Sequence, residues 1–375
     1  MKYYIIAGEA SGDLHGSNLI KALKRVDSDA SFRFWGGDKM QAASGNLVKH
    51  YKEHAFMGIV PVIRNYPIIR DNFKLAEKDI ANYAPDALIL IDFSGFNLRI
   101  AKKVKSPDFQ IFYYISPQVW AWRQHRVYKI QKLVDRIFTI LPFEKAFYKK
   151  FDYDVDYVGH PLLDSIADFK KSFKMERQEF LKKNGFSGKP IIAILPGSRK
   201  QELHAQLPIM VEVSRKFPDY QFVVAGMKSL NQDIYTGCFK GPEVKLVFEQ
   251  TYELLSFAKA ALVTSGTATL ETALFKVPEV VCYRAGRFSY YLVKALVKIK
   301  FISIVNLIMD KLVVKELIQN ELTSQNLSNE LNRLLNDVPY RADMLKEFSE
   351  LEEKLGGEGA SLRAARGMFE FLTKK

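Results

Sequence analysis

Cysteine is almost absent. Cys238 and Cys282 are the only two in 375 residues, and neither has a partner at a spacing that would build a disulfide framework or a zinc site. That excludes a disulfide-stapled scaffold and fits a reducing compartment. No apolar run approaches the ~18 residues that a membrane-spanning helix needs. The first residues, Met-Lys-Tyr-Tyr-Ile-Ile-Ala-Gly, read as a strand and not as a signal peptide. A soluble or surface-bound protein is therefore expected. Short-period repeats and low-complexity tracts are missing. So are zinc-finger, RNP-like and basic-arm patterns, which argues against nucleic acid as a partner. Acidic side chains are in deficit, 42 against 55 basic ones, for a net charge of +13. Such an excess draws polyanions, and with nucleic acid set aside it points to an anionic membrane surface or phosphorylated substrates.

What is present is a globular pattern, 48% hydrophobic, and too long for one core. Short apolar strands alternate with helical stretches, the signature of stacked βαβ units on parallel sheets. Strands are expected at 3–8, 32–36, 87–93, 110–116, 136–141 and 155–159, and a second series at 191–196, 221–225, 244–248, 261–264 and 280–283. Between the series, the polar, Lys-rich stretch 164–190 marks a boundary. The expected fold is α/β, with two doubly wound, Rossmann-like lobes facing across a cleft. Their bounds are 1–165 and 166–340, followed by a helical tail at 341–375 that breaks at Gly356 and Gly357.

In open α/β sheets, ligands sit just past the carboxyl ends of strands. The unusual residues cluster there. The first strand runs into Gly8-Glu-Ala-Ser11-Gly12-Asp13-Leu-His15-Gly16, whose glycines and following helix suit an anion, although the spacing is not that of a dinucleotide fingerprint. The strand at 87–93 ends in Asp92, which reads equally as a helix N-cap or as a general base. After the next strand, Trp120, Trp122 and Arg123 suggest an aromatic wall with a cation. In the second series, Leu195-Pro-Gly-Ser-Arg199 suits a phosphate. Ser265, Gly266 and Thr267 then open a helix that carries Glu271 one turn in, which suits a diphosphate with Glu271 accepting from ribose hydroxyls. His50-Tyr-Lys-Glu-His54 matches a zinc-protease pattern but lies in a basic, aromatic segment without a long helix, so no metal is expected there.

Two apolar, basic stretches remain. Residues 57–69 bring Val60, Val62, Ile63, Ile68 and Ile69 together with Arg64 and Arg70, and residues 287–302 mix Phe288, Leu292 and Leu296 with Lys294 and Lys298. Either pattern suits the surface of an anionic membrane, and packing between lobes would explain the second equally well and the first less well.

Taken together, GEASGD at 8–13, MGIV at 57–60, SPQVWAWR at 116–123, LPFEKAFY at 141–148, VGHP at 158–161, LPGSR at 195–199 and SGTATLE at 265–271 resemble the lipid-A-disaccharide synthase family over nearly the whole chain. The resemblance implies the GT-B architecture and an inverting transfer. UDP-2,3-diacylglucosamine would be the donor and 2,3-diacylglucosamine 1-phosphate the acceptor, giving a β-1′,6-linked disaccharide and UDP. It implies Asp92 as base. It places UDP on Arg199, Ser265, Gly266, Thr267, Glu271 and Asn306, and the acceptor on Ser11, Gly12, Asp13, Trp120 and Arg123. It implies no cofactor and no metal. It also implies a cytoplasmic enzyme lying on the inner face of the bacterial inner membrane, with a homodimer as the assembly to test. Two departures stand out. The family's Asp-x-Pro-Asp-Phe-Asn reads Asp92-Phe-Ser-Gly95-Phe-Asn97 here, leaving one acid, and its Pro-Asn-Leu reads Val305-Asn306-Leu307. A UDP-N-acetylglucosamine 2-epimerase would share the architecture and the diphosphate loops, and a non-enzymatic nucleotide- or lipid-binding protein is the reading from a different class.

Overall fold

A computed structural model describes residues 1–53, 66–228, 230–239, 244–286 and 300–374. The chain forms two compact units, Met1–Asp164 with Leu355–Lys375, and Ser165–Lys354.

In the first unit, the described strands are β1 (Lys2–Ala7), β2 (Ser31–Gly36), β3 (Leu47–His50), β4 (Ala87–Ile91), β5 (Gln110–Tyr114), β6 (Arg136–Thr139) and β7 (Asp156–Tyr157). They form one parallel sheet in the order β3-β2-β1-β4-β5-β6-β7. Tyr3–Ala7 and Ala87–Ile91 are buried throughout, as continuous apolar runs must be when helices cover both faces of a sheet. Helices Tyr66–Tyr83, Ser94–Val104 and Arg126–Leu133 pack side by side in one layer. Helix Ala10–Val26 packs with Asp38–Ser44 and with the C-terminal helix Ala360–Thr373 in another group. β3 was not among the expected strands. Its Leu-Val-Lys-His is short, half-buried and at the sheet edge, so it carries no apolar run to reveal it.

The second unit holds β8 (Ile191–Leu195), β9 (Gln221–Gly226), β10 (Lys245–Phe248), β11 (Ala258–Thr264), β12 (Glu279–Tyr283) and β13 (Lys315–Ile318), again all parallel, in the order β10-β9-β8-β11-β12-β13. The stretch 164–190, expected as a polar boundary between the two series, contains the division between the units at Asp164 and Ser165, and it is largely helical, in Pro161–Ser172 and Arg177–Asn184. The second of these puts Phe180 and Leu181 into the core beside Ile191 and Leu254. Its other side chains are mostly charged, so one apolar pair was all the periodicity there was to read. β13 hides for a related reason, because three of its four residues, Lys-Glu-Leu-Ile, are good helix formers and Glu316 is a buried charge.

Residues 341–375 do not form one tail. Helix Val338–Lys354 belongs to the second unit, where Lys276 bridges to Glu352 at 2.7 Å. The chain then returns to the first unit as Ala360–Thr373. Asp164 holds that return, accepting from the N–H groups of Gly359 (2.5 Å), Ala360 (3.3 Å) and Ser361 (2.9 Å). A carboxylate at a helix N-terminus satisfies orphan donors and meets the positive end of the dipole. No helix of the described residues is long and apolar enough to cross a membrane.

One core group works against the fold. Glu279 is fully buried at the start of β12, and neither of its carboxylate oxygens has a hydrogen-bond partner among the described residues. Burial raises its pKa well above the ordinary value. A raised folded pKa means the folded state keeps a proton that the unfolded chain releases, so stability falls as pH rises above the usual glutamate range. Glu279→Leu is expected to stabilise by roughly 1–3 kcal/mol at pH 7, the usual penalty of an unsatisfied buried polar group, and to flatten that pH dependence. Thermal melts of both proteins from pH 4 to 8 check it; parallel curves would show that Glu279 has a hidden partner.

Candidate active site

Each sheet reverses its winding direction once, between β1 and β4 in the first unit and between β8 and β11 in the second. A ligand crevice opens at such a point because the helices on the two sides leave in opposite directions. Most of the loops singled out in the sequence follow these four strands, and the Trp120–Arg123 loop follows β5 beside β4.

At the first reversal, Gly8 leaves β1 and the helix Ala10–Val26 begins after an extended Glu9. A Cβ at Gly8 would collide with the ring of Phe93, which arrives from the end of β4. Asp92 and Phe93 are both left-handed, with φ of 44° and 43°. Two such residues in succession are costly without glycine, and they persist where the surroundings hold them. Here the Asn97 amide donates to the carbonyls of Asp92 at 2.9 Å and Ile91 at 3.2 Å. The Tyr113 hydroxyl donates to the same Asp92 carbonyl. Phe93 and Phe96 stack at 5.4 Å. The helix Ser94–Val104 begins after Phe93 without any side-chain cap, which decides against Asp92 as a cap. Asp92 is half-buried, and burial raises its carboxyl pKa, partly offset by the Phe93 backbone N–H. A carboxylate made more basic in this way suits proton abstraction near neutral pH. Gly95, where the family pattern has a second acid, is exposed and has no atom within 4 Å of a Cβ built there, so packing does not forbid a carboxylate at that position.

Two residues expected at the acceptor are placed otherwise. Asp13 is buried, and its oxygens accept from the N–H groups of Gly37 (2.8 Å), Lys39 (3.0 Å) and Met40 (3.0 Å). It fastens the turn after β2 and has little capacity left for a ligand. Trp120 is buried edge-on against Phe143 at 4.9 Å, a core residue and not an open wall. Its neighbour Trp122 takes the exposed position, with the Arg123 guanidinium 4.5 Å from its ring centre. Ser11 and Gly12 do lie in the first turn of Ala10–Val26, at the carboxyl end of β1. Beneath the loop that follows β5 lies a group the sequence reading gave no role. Glu144 is buried, accepts from the Ser116 hydroxyl at 2.7 Å and from the Leu141 N–H at 2.9 Å, and burial pushes its pKa up to about 7. Its position in LPFEKAFY and that of Ser116 in SPQVWAWR were the available signal, since the bond joins those two motifs.

At the second reversal, Gly197 is left-handed (φ 94°), with the Glu202 carboxylate and the Thr264 methyl close to where a Cβ would be. That contact brings the β8 and β11 loops together. Arg199 precedes helix Lys200–Val213 and is largely exposed, 3.5 Å from Glu202. Gly266 and Thr267 are exposed at the start of helix Thr267–Leu274, and Glu271 accepts from the Tyr252 hydroxyl at 3.0 Å, a partner not foreseen. Asn306 departs from expectation. It is fully buried, its amide donates to Val314 (2.8 Å) and Glu316 (2.9 Å), and its oxygen accepts from Val313 (2.8 Å) and Val314 (2.9 Å). Those backbone groups turn the chain into β13 and need partners, so the amide closes the turn instead of facing a ligand. It still bears on the loop, because Glu316 also accepts from the N–H of Ile302, whose carbonyl receives the Ser265 hydroxyl at 2.9 Å.

The zinc-protease pattern dissolves. His50 ends β3 beside Asp38 at 3.5 Å, Tyr51–Glu53 is a single tight turn, and His54 lies outside the described residues. Among the described residues, no three His, Cys, Asp or Glu side chains gather as a metal site. Of the apolar patch, Val60, Val62 and Ile63 lie outside the described residues, as do 287–299 of the second stretch. Ile68 is 44% exposed and Ile69 half-buried in the first turn of Tyr66–Tyr83.

Two doubly wound sheets with their loops at the reversal points define the two-lobed α/β class shared by glycosyltransferases and nucleotide-sugar epimerases. The structure is similar to the UDP-GlcNAc 2-epimerase of Neisseria meningitidis bound to UDP-GlcNAc, with TM-score 0.69 and 13% identity over 100% of both chains. It is also similar to the calicheamicin glycosyltransferase, with TM-score 0.59 and 14% identity over 100% of this chain and 98% of that one. At such identities the likeness concerns the fold. The model of the family described as lipid-A-disaccharide synthetase matches residues 3–363, and the chain belongs to that family of hexosyltransferases. It is 38% identical to the lipid-A-disaccharide synthase of Geobacter metallireducens over 99% of this chain and 97% of the relative, and 36% identical to that of Myxococcus xanthus over 98% and 97%.

Proposed function

We propose that the chain joins UDP-2,3-diacylglucosamine to 2,3-diacylglucosamine 1-phosphate, releasing UDP and the β-1′,6-linked disaccharide 1-phosphate. The observation that carries this reading is the strained, half-buried Asp92 at the β1/β4 reversal. A base of raised pKa sits in one unit while the exposed Gly266-Thr267 helix start, Arg199 and Glu271 offer a diphosphate site in the other. Asp92 takes the proton from the acceptor's 6-hydroxyl as that oxygen bonds to C1 of the donor. The C1–O bond to UDP breaks with its electron pair, and the anomeric centre inverts through an oxocarbenium-like transition state, by analogy with inverting glycoside hydrolysis. The free N–H groups of helix Thr267–Leu274 and the Arg199 guanidinium meet the negative charge growing on the diphosphate. Ser11, Gly12 and Arg123 remain the candidates for acceptor contact, and Glu271 for the ribose.

The acceptor's acyl chains support a membrane-bound setting, on the inner face of the inner membrane. Each CH₂ kept from water is worth about 0.8 kcal/mol, so an apolar patch on the enzyme would ease their transfer. Residues 57–69 are the candidate, with Ile68 exposed at the start of Tyr66–Tyr83.

Mixing purified protein with the two acylated sugars and following UDP release tests the reaction. A parallel reaction with UDP-GlcNAc alone tests the epimerase reading, which the same fold would also serve. ManNAc products there, with no coupled disaccharide in the first, would overturn the proposal.

A further inference from the structure

The first unit also carries a basic face that adjoins Arg123, the candidate acceptor contact. Between Ser94 and Leu133 the sequence has eight Lys and Arg residues against the single Asp108. Folding sorts them. Lys103 pairs with Glu77 at 2.9 Å and Lys105 with Asp135 at 2.6 Å. Arg99, Lys102, Arg123, Arg126, Lys129 and Lys132 pair with no carboxylate among the described residues. Lys102 from helix Ser94–Val104 and His125, Tyr128, Lys129 and Lys132 from helix Arg126–Leu133 and its approach line one open groove of about 440 Å³. Arg123 and Arg126 stack on Trp122, at 4.5 and 5.8 Å from its ring centre. Burial, and then the nearby Arg123 and Arg99, lower the Arg126 pKa, so these guanidiniums repel one another. Two aromatic rings stand exposed among them, Trp122 at 39% and Tyr128 at 57%.

A solvated basic face needs neither feature. Like charges gathered without counterions destabilise the free protein, and exposed Trp and Tyr rings have no use in water. Both find a use where a polyanion is also an interface. Indole and phenol rings rest at the headgroup level of a bilayer, one edge apolar and the other wet, while Lys and Arg reach lipid phosphates. Nucleic acid would be met by the same cations, but recognition of its bases needs rings free for stacking, and Trp122 already has two guanidiniums at 4.5 and 5.8 Å from its ring centre.

We propose that the groove between helices Ser94–Val104 and Arg126–Leu133, rimmed by Trp122 and Tyr128, is a docking surface for an anionic lipid bilayer. It deepens the reading of a lipid-borne acceptor, on which it rests. It also adds a site distinct from residues 57–69, and it lies on the same helical layer as Tyr66–Tyr83. The rim at Trp122 follows β5, next to β4 with its Asp92, so docking would set that end of the sheet near the membrane.

The chain supplies its own reporter. Of its three tryptophans, Trp35 is fully buried and Trp120 is 9% exposed, leaving Trp122 to sense a surface. Vesicles of phosphatidylcholine with a third phosphatidylglycerol should shift the emission of the wild-type protein to the blue, pure phosphatidylcholine should not, and rising salt should reverse the shift. Trp122→Phe should still sediment with the anionic vesicles but lose the shift. Lys102→Glu with Lys129→Glu and Lys132→Glu should lower partitioning at least ~100-fold, taking about fivefold for each of the three cations lost near an anionic surface. The same triple variant should keep its turnover of acylated sugars dispersed in neutral detergent. Vesicle binding without a Trp122 shift, unchanged partitioning of the triple variant, or tighter binding to a single-stranded oligonucleotide than to vesicles at equal salt would each overturn the surface. Should the wild type dock in this manner yet form no disaccharide, the reaction reading would fail while the surface stood.

Discussion

Asp92→Asn is expected to lower turnover by at least ~10²-fold, the low end for removing a general base, with UDP affinity nearly unchanged. The amide keeps the size and the left-handed turn but cannot take a proton. The pH profile gives a second reading of the same residue. Only the carboxylate form can abstract a proton, and burial raises the Asp92 pKa. The rate should therefore rise with pH through a midpoint above the ordinary aspartate range, and Asp92→Asn should lose that limb. Tyr113→Phe serves as the graded comparison, because it removes one of the two side-chain bonds to the Asp92 carbonyl. Releasing part of a strain of order 1–3 kcal/mol should cost turnover about tenfold and move the acid limb toward lower pH as the carboxyl gains water. Near-normal turnover by Asp92→Asn would leave the residue with the turn alone.

Removing either charge at the second unit should weaken UDP by roughly 1–3 kcal/mol, the range for a charge-assisted hydrogen bond. Arg199→Ala tests the diphosphate and Glu271→Ala the ribose. Titration calorimetry with UDP reads both, and unchanged affinity in the pair would move the nucleotide off these loops. Glu271 also accepts from Tyr252, so Tyr252→Phe should shift affinity by less than either, because it leaves the carboxylate in place. Asn306→Ala should behave differently again. Its amide closes the turn into β13 with four hydrogen bonds. The first loss should be thermal stability, and loss of UDP should follow only as far as Ile302 and the Ser265 hydroxyl bound to it move.

The parts of the fold that were legible are those with a one-dimensional signal. β4 and β8 are unbroken apolar runs and β1 and β11 are apolar after their first residues, because both faces are covered there, and glycines and hydroxyls mark the loops after them. Motif spacing then placed Asp92 and Ser265–Glu271 on the correct ends of their strands. The edge strands β3 and β13 and the helix Arg177–Asn184 escaped notice because each is short and keeps one side polar, so no period accumulates.

Chain order and residue type by themselves determined two parallel α/β sheets, the four loops at their reversal points and the chemistry those loops can hold, since each depends on neighbours within a few residues. Only the tertiary structure decided which polar groups are free to act. Asp13 and Asn306 look like ligand residues in sequence, but backbone N–H groups occupy both, from beyond the next strand for Asp13 and from across a turn for Asn306. Trp120 and Trp122 differ by two positions, and packing against Phe143 buries one while the other stays outside. A hydrogen bond or a burial is a contact between residues far apart in the chain, and that is why the division between support and site appeared only in three dimensions.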